Sequence, residues 1–307
     1  MATAALFILA LVGTAALGLA SKWIDRKVTA RIQWRVGPPW YQPLADFVKL
    51  LGKETILPES ARGTGFLLAP IIALAATAVA AAILWAANFR PGVGFVGDVI
   101  VVLYLLTIPS LALILGGSAS GNPNASAGAS REMKLLLSYE LPFIVAILAA
   151  ALGSGRSLSL SSLVGAHATN GLAAAGSVLG FIVAVFVVQA KLGLVPFDIA
   201  EAECEIMSGP YVEYSGGALA LWYLTRAMLT AILPVFVITV FWGGMLFTSL
   251  GAAAASIGKY VLVLVLTVLI RNTNPRVRID HAMRFFWFFM TPVAALALIL
   301  TLSSQGV

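Results

Sequence analysis

Apolar residues fall in eight blocks long enough to cross a bilayer, at residues 2–22, 64–88, 98–117, 134–153, 173–195, 216–246, 253–271 and 283–303. A helix needs about 20 mostly apolar residues to span the hydrocarbon. The pattern predicts an all-α polytopic membrane protein with eight transmembrane helices, a single integral membrane domain over residues 1–307. Two stretches between blocks are patterned differently. From Leu44, apolar residues recur at i, i+3, i+4 and i+7 (Leu44, Phe47, Val48, Leu51), with Asp46, Lys49 and Lys53 on another face. That spacing predicts an amphipathic interfacial helix in the first loop. Gly37-Pro38-Pro39 is a rigid break before it, and Trp34, Trp40 and Tyr41 suit the headgroup level. The second stretch, Pro196 to Ser215, carries Asp198, Glu201, Glu203, Glu205 and Glu213, five of the chain's 13 carboxylates.

Composition agrees with the block pattern. Residues are 60% hydrophobic and only 10% charged, against roughly a quarter charged in a soluble domain, and the mean hydropathy is +0.98. The net charge of +6 is therefore read by side of the membrane, not as a nucleic-acid footprint. Lys22, Arg26, Lys27, Arg31, Arg35, Lys49, Lys53 and Arg62 lie between the first two blocks. Arg131 and Lys134 border blocks three and four, Lys191 borders five and six, and Arg271, Arg276, Arg278 and Arg284 border seven and eight. The opposite side has only Arg90, Arg156 and Lys259. The positive-inside rule makes the crowded side cytoplasmic and puts both termini outside, in the cell (inner) membrane. The first block has no basic residue ahead of it and several after it, the pattern of an uncleaved span.

Acids follow the bases to the same side, apart from Asp98, although acids contribute little to orientation. A face rich in both signs suggests a docking surface or a polar chamber. The small, polar residues 118–130 are expected to form a loop there. Cys204 is the one cysteine, which excludes disulfides and an iron–sulfur cluster held by this chain alone. His167 and His281 lie far apart, and no zinc spacing, phosphate loop or Ser/His/Asp motif occurs. Redox chemistry must then belong to partner subunits or to a bound small molecule.

The acids are the residues that can carry chemistry. A helix starting at Pro196 would put Asp198, Glu201 and Glu205 on one face, with Glu203 pointing elsewhere and Glu213 beyond the Gly209-Pro210 break. Closely spaced carboxylates in low dielectric raise one another's pKa, as a proton relay requires. The alternative is that they pair structurally with arginines of the first and last charged loops. Glu140, in Ser138-Tyr139-Glu140-Leu141-Pro142, is expected about two turns into the fourth span. An acid there is a functional-site hypothesis by default, set against a simply paired acid. Arg226 is about ten residues into the sixth span and needs an anion, from Glu140 or the acidic loop. Lys191, near the end of the fifth, has a length that lets it snorkel.

Five motifs in order resemble the quinone-chamber subunit of respiratory complex I. They are Arg35-Val36-Gly37-Pro38-Pro39-Trp40-Tyr41-Gln42-Pro43-Leu44-Ala45-Asp46 with Lys49 and Lys53-Glu54; Arg131 with Ser138-Tyr139-Glu140; Pro196-Phe197-Asp198 with Glu201-Ala202-Glu203; Glu213-Tyr214-Ser215-Gly216; and Pro275-Arg276-Val277-Arg278-Ile279-Asp280 with Trp287. They span nearly the whole chain. The compact Gly37–Pro43 turn is most similar to the anchoring subunit of membrane-bound [NiFe] hydrogenases and their sulfur-reducing relatives. Lys191 departs from the glutamate that complex I subunits tend to carry on the approach to Pro-Phe-Asp. The resemblance implies an energy-coupling subunit with no cofactor of its own, beneath hydrogenase large and small subunits and iron–sulfur subunits that hold the NiFe centre and clusters. It also implies antiporter-like membrane partners that move H⁺ or Na⁺. In that picture Glu140, Asp198, Glu201, Glu203, Glu205, Glu213, Lys191 and Arg226 couple or relay. Arg35, Asp46, Lys49, Lys53, Glu54, Arg131, Arg276, Arg278 and Asp280 form the docking surface. A quinone-binding subunit is the first alternative and a stand-alone secondary transporter the second.

Overall fold

The computed structural model describes residues 2–61, 63–90, 94–154, 157–164 and 171–304, without the side chains of 2–6, 171, 172, 203 and 204. Arg62, Arg156 and His167 lie outside the described residues, as do the side chains of Glu203 and Cys204. Among the described residues there is no strand, and eight helices are long and apolar enough to cross a membrane. The first is α1 (Ala2–Ile32); the amphipathic α2 (Gln42–Leu51) follows it, as the Leu44 periodicity predicts. The second span is α3 (Gly63–Phe89). The third is broken into α4 (Asp98–Leu105) and α5 (Ile108–Ala119). The fourth is α6 (Pro123–Gly153). A short α7 (Leu160–Leu163) precedes the fifth span, α8 (Gly171–Lys191). After α9 (Glu203–Ile206) come the sixth span, α10 (Gly216–Phe241), and the seventh, α11 (Leu250–Thr273). The last runs through α12 (Ile279–Arg284), a π-helical stretch Phe285–Met290 and α13 (Thr291–Ser303).

Several boundaries differ from the block pattern, each for a local reason. α1 continues ten residues past the expected end at 22, because charge ends the hydrocarbon span but not the helix. α6 begins at Pro123 and not at 134, so most of the expected small polar loop is helix. The start is capped: the Asn122 side chain accepts from the Asn124 N–H, and Pro123 occupies the first turn, where a missing N–H costs nothing. α8 stops at Lys191, short of 195, ahead of Gly193 at φ +58°. α10 stops at Phe241, short of 246, ahead of Gly243 and Gly244 at φ +70° and +78°. In the left-handed region glycine is the residue without a steric penalty.

α10 is the axis of the bundle. Every residue from Ala227 to Phe241 is buried, and α10 packs against α1, α2, α3, α8 and α11. α6, α8 and α13 pack on one another, and α3 packs on α5. Small residues allow the close approach that drives association in lipid. α3 buries Ala69, Ala73, Ala76, Ala80, Ala81 and Ala87. Large apolar side chains on α1, α11 and α13 stay exposed, as surface that faces acyl chains or partners.

Pairing between loops assigns them to two ends. At one end, Arg26 meets Asp46 at 2.8 Å, Arg131 meets Glu205 at 2.7 Å, Arg271 meets Asp25 at 2.7 Å and Arg276 meets Asp198 at 2.7 Å. At the other, Leu160 N–H donates to Asp98 Oδ1 at 2.6 Å, and Met245 N–H donates to Asn88 Oδ1 at 2.7 Å. Alternate loops thus gather at opposite ends, as eight crossings require.

The first loop closes on the charged end through Ser215, whose hydroxyl accepts from the Ile56 N–H at 2.9 Å. Next to it Gly216 sits at φ +52° with the Lys53 and Glu54 carbonyls where a Cβ would lie. Tyr214 stacks on Phe66 at 4.0 Å and donates to the Phe66 carbonyl at 3.0 Å. Gly216→Ala should lower the thermal midpoint of the detergent-solubilised chain by an amount equivalent to about 1–3 kcal/mol. Gly217→Ala, with Thr55 Oγ1 at 3.4 Å and no positive φ, should leave it nearly unchanged. Equal midpoints for the two variants would contradict this account of the turn.

Candidate functional site

The acidic stretch between α8 and α10 does not form the helix expected from Pro196. Phe197, Ile199, Ala200, Ala202 and Ile206 are all buried, so its apolar residues point around the backbone and not to one side. No single amphipathic face satisfies that pattern, and only Glu203–Ile206 and a 3₁₀ turn at Gly209–Tyr211 are helical. Phe197 is held between Phe285 and Phe286 at centroid distances of 5.7 and 4.8 Å, and Val277 N–H donates to Pro196 O at 3.0 Å.

The acids with described side chains accordingly do not share a face; each has its own partner. Asp198 pairs with Arg276 at 2.7 Å, Glu201 with Arg226 at 2.6 Å and Glu205 with Arg131 at 2.7 Å. Glu213 accepts from the Asn122 amide at 2.5 Å. Pairing with an arginine of the last charged loop, as the alternative expected, is found for Asp198 alone; the partners of Glu201 and Glu205 sit on α10 and on α6. Arg226 finds its anion in the acidic loop and not in Glu140. It also donates to the Leu192 carbonyl at 3.1 Å and lies 5.5 Å from the Tyr211 ring centroid.

Glu140 lies 17 residues after Pro123, much deeper in its helix than two turns. Its Oε2 is 3.2 Å from Lys191 Nζ. Thr107, at the break between α4 and α5, joins them: its hydroxyl is 3.0 Å from Glu140 Oε1 and accepts from Lys191 Nζ at 3.1 Å. Lys191 does not snorkel. Its side chain is 2% exposed, with Nζ 5.0 and 5.5 Å from the ring centroids of Tyr139 and Phe143. A buried ammonium needs such a partner set, because an unpaired charge in low dielectric costs several kcal/mol.

A partly enclosed cavity of about 30 Å³ joins this inner pair to the acidic loop. Lys191, Glu132, Ser110, Glu201, Arg226 and Lys22 are among the residues that line it. One water needs about 10–15 Å³, so the cavity has room for a couple of waters. Glu132 is the residue that sequence reasoning missed. It is 6% exposed and makes no ion pair among the described residues. The signal was present: Ala125, Gly128, Ala129 and Glu132 recur at i, i+3, i+4 and i+7, and all are buried. Starting α6 at Asn122-Pro123 would have placed Glu132 on an inward face.

The expected docking residues divide. Arg35, Lys49, Lys53, Glu54, Arg276, Arg278 and Asp280 are exposed, and Arg278 lies 3.7 Å from Asp280. Asp46, Arg131 and Arg276 are committed to ion pairs that fix the loops. Burial raises the Asp46 carboxyl, but hydrogen bonds from Arg26 and Gln42 outweigh it and hold Asp46 below its ordinary value. Asp198 moves the other way: burial, and then the Glu201 carboxylate, push it up to about 6, against the pull of Arg276. No group of three or more His, Cys, Asp or Glu side chains converges as a metal site among the described residues.

The comparisons with known proteins agree on one kind of subunit. The family model for NADH dehydrogenase matches residues 3–302. The NADH-quinone oxidoreductase H subunit of Dehalococcoides mccartyi (strain CBDB1) is 34% identical over 289 residues, covering 91% of this chain and 80% of that protein. Its counterpart from Carboxydothermus hydrogenoformans is 33% identical over 313 residues, covering 96% and 88%. A chain of the membrane-bound sulfane sulfur reductase, an archaeal respiratory membrane complex, superposes with a TM-score of 0.87 at 30% identity, covering 98% of this chain and all of that one.

Two outcomes follow from the geometry. Lys191→Met alone strands Glu140 and should lower stability by about 3–5 kcal/mol, whereas Lys191→Met with Glu140→Gln should recover most of the loss. Additive thermal midpoints would show that the pair is not coupled. Second, Asp198 binds its proton more tightly folded than unfolded, so its contribution to stability should rise as pH falls through about 6. A protonated-carboxyl infrared band should appear across that range and be missing in Asp198→Asn; an unchanged band in the variant would assign it elsewhere.

Proposed function

The chain belongs to the NADH dehydrogenase family that includes the H subunit of NADH-quinone oxidoreductase, and from that membership we propose that it is the membrane-anchoring, energy-coupling subunit of a complex I-related respiratory complex. The observation that carries the reading is the continuity of the Glu140–Lys191 pair, the Glu132 cavity and the Glu201–Arg226 pair. Lys191 stands between two acids, paired with Glu140 and facing the cavity that Glu132 lines. Protonation of Glu140 leaves the ammonium without its partner and favours its turning toward Glu132. A redox event in a docked arm that disturbs the acidic loop shifts the Glu201–Arg226 pair, which lines the same cavity. Moving one unit charge by a few ångströms in low dielectric is worth several kcal/mol, enough to bias a two-state element.

The arm is proposed to be a ferredoxin-oxidising, hydrogen-evolving [NiFe] hydrogenase, with nickel and iron–sulfur centres in its own subunits and H⁺ or Na⁺ moved by antiporter-like neighbours. The compact Gly37–Pro43 turn supports it. A sulfur-reducing arm is the second reading, favoured by the likeness to a chain of the sulfane sulfur reductase over the full length of that chain. The charged end is assigned to the cytoplasm, with both termini outside, on the segregation of basic residues. Arg35, Lys49, Lys53, Glu54, Arg278 and Asp280 are the exposed part of the docking face.

Glu140→Gln in the intact complex should preserve assembly and turnover with artificial electron donors while lowering ion-gradient formation several-fold; unchanged coupling would remove Glu140 from the pathway. Nickel-ligating cysteine pairs in the co-purifying large subunit would support the hydrogenase arm, and their absence would leave the sulfur-reducing and quinone-binding readings.

A further inference from the structure

A second concavity opens at the charged end, away from the acidic loop. It is a cleft of about 310 Å³ between the end of α1, the turn at residues 33–38 and the end of α11. Arg26, Arg35, Arg271, Gln33 and Thr29 line it, with Pro38 at its edge. We propose that this cleft binds the phosphate headgroup of an anionic phospholipid.

Three guanidiniums converge there with two carboxylates nearby, and the two are already used. Asp46 holds Arg26 at 2.8 Å and Asp25 holds Arg271 at 2.7 Å, each through one guanidinium nitrogen. Each guanidinium has five N–H donors, so both keep donors free. Among the described residues Arg35 has neither an ion pair nor a side-chain hydrogen bond, and it is exposed. Its backbone is nevertheless fixed. Arg35 N–H donates to the Ala30 carbonyl at 2.7 Å, and Trp23 Nε1 donates to the Pro38 carbonyl at 3.3 Å. The turn is therefore built, with one uncommitted arginine over two half-committed ones. Phosphate oxygens match the forked donors of arginine.

The position favours a lipid as the source of that phosphate. The cleft sits where α1 and α11 end at the charged end of the bundle, and basic pockets between spanning helices are suited to anionic headgroups. Exposed apolar residues continue from it along α11, at Leu269 and Leu262. They give acyl chains a path that a free anion does not need.

The test is native mass spectrometry of the full-length chain in detergent, with equal amounts of phosphatidylglycerol and phosphatidylcholine added. Wild type should retain phosphatidylglycerol about tenfold more strongly, because both lipids offer a phosphate but the choline ammonium of phosphatidylcholine is repelled by the three guanidiniums. Arg35→Gln should lose that preference. Arg278→Gln, the same charge change at an exposed site on the same end, should keep it, and excess inorganic phosphate should not displace the lipid. Equal retention of the two lipids, or no effect of Arg35→Gln, overturns the proposal. Full displacement by inorganic phosphate overturns the lipid source in favour of a free anion. Displacement on rebinding the soluble arm overturns it in favour of an acidic segment of that arm.

Discussion

A lysine ammonium buried among helices constrains this molecule more than any other group. Lys191 ends α8 with its side chain almost wholly out of solvent. It is tolerable only because Glu140 on α6 and Thr107 at the α4–α5 break meet it there. The break is part of the arrangement. At the break Thr107 keeps the helical bond from its hydroxyl to the Leu103 carbonyl at 3.1 Å, and the same hydroxyl lies between an acid and a base. Aromatic faces of Tyr139 and Phe143 complete the enclosure, so the inner end of the polar region is closed by packing and its outer end by ion pairs.

The outer end is built on a different rule. Each described acid of the 198–213 stretch reaches a donor on a different element, and the apolar residues between them anchor the backbone. The loop is a junction: α6, α10 and the segment before α12 all hold it through charge. A disturbance at the loop surface, near Arg276 and Asp198, is therefore shared with Arg226 and with the cavity wall. The same economy explains the first loop, where Asp46 and Arg26 serve to place α2, while Arg35 is left uncommitted beside them.

Much of this was legible along the chain. The count of spans, the amphipathic α2 and the family resemblance all rest on local pattern, and they stand. The acidic stretch was legible as a cluster of charge, yet its expected helix was wrong, because carboxylate spacing was read without the buried apolar residues that alternate with it. Glu132 was overlooked for a related reason. Its helix was started eleven residues late, and a buried acid was taken for a loop residue.

What the sequence determined by itself are properties that a short window contains: twenty apolar residues match the thickness of hydrocarbon, and basic loops sort to one side of it. What the tertiary structure decided are the partners. Glu140 and Lys191 are 51 residues apart, and Arg271 and Asp25 are 246 apart. On a face with more bases than acids, many pairings are equally consistent with composition. Packing of α6, α8 and α10 selects one of them, because in low dielectric a charge must be satisfied by whatever lies within about 3 Å of it.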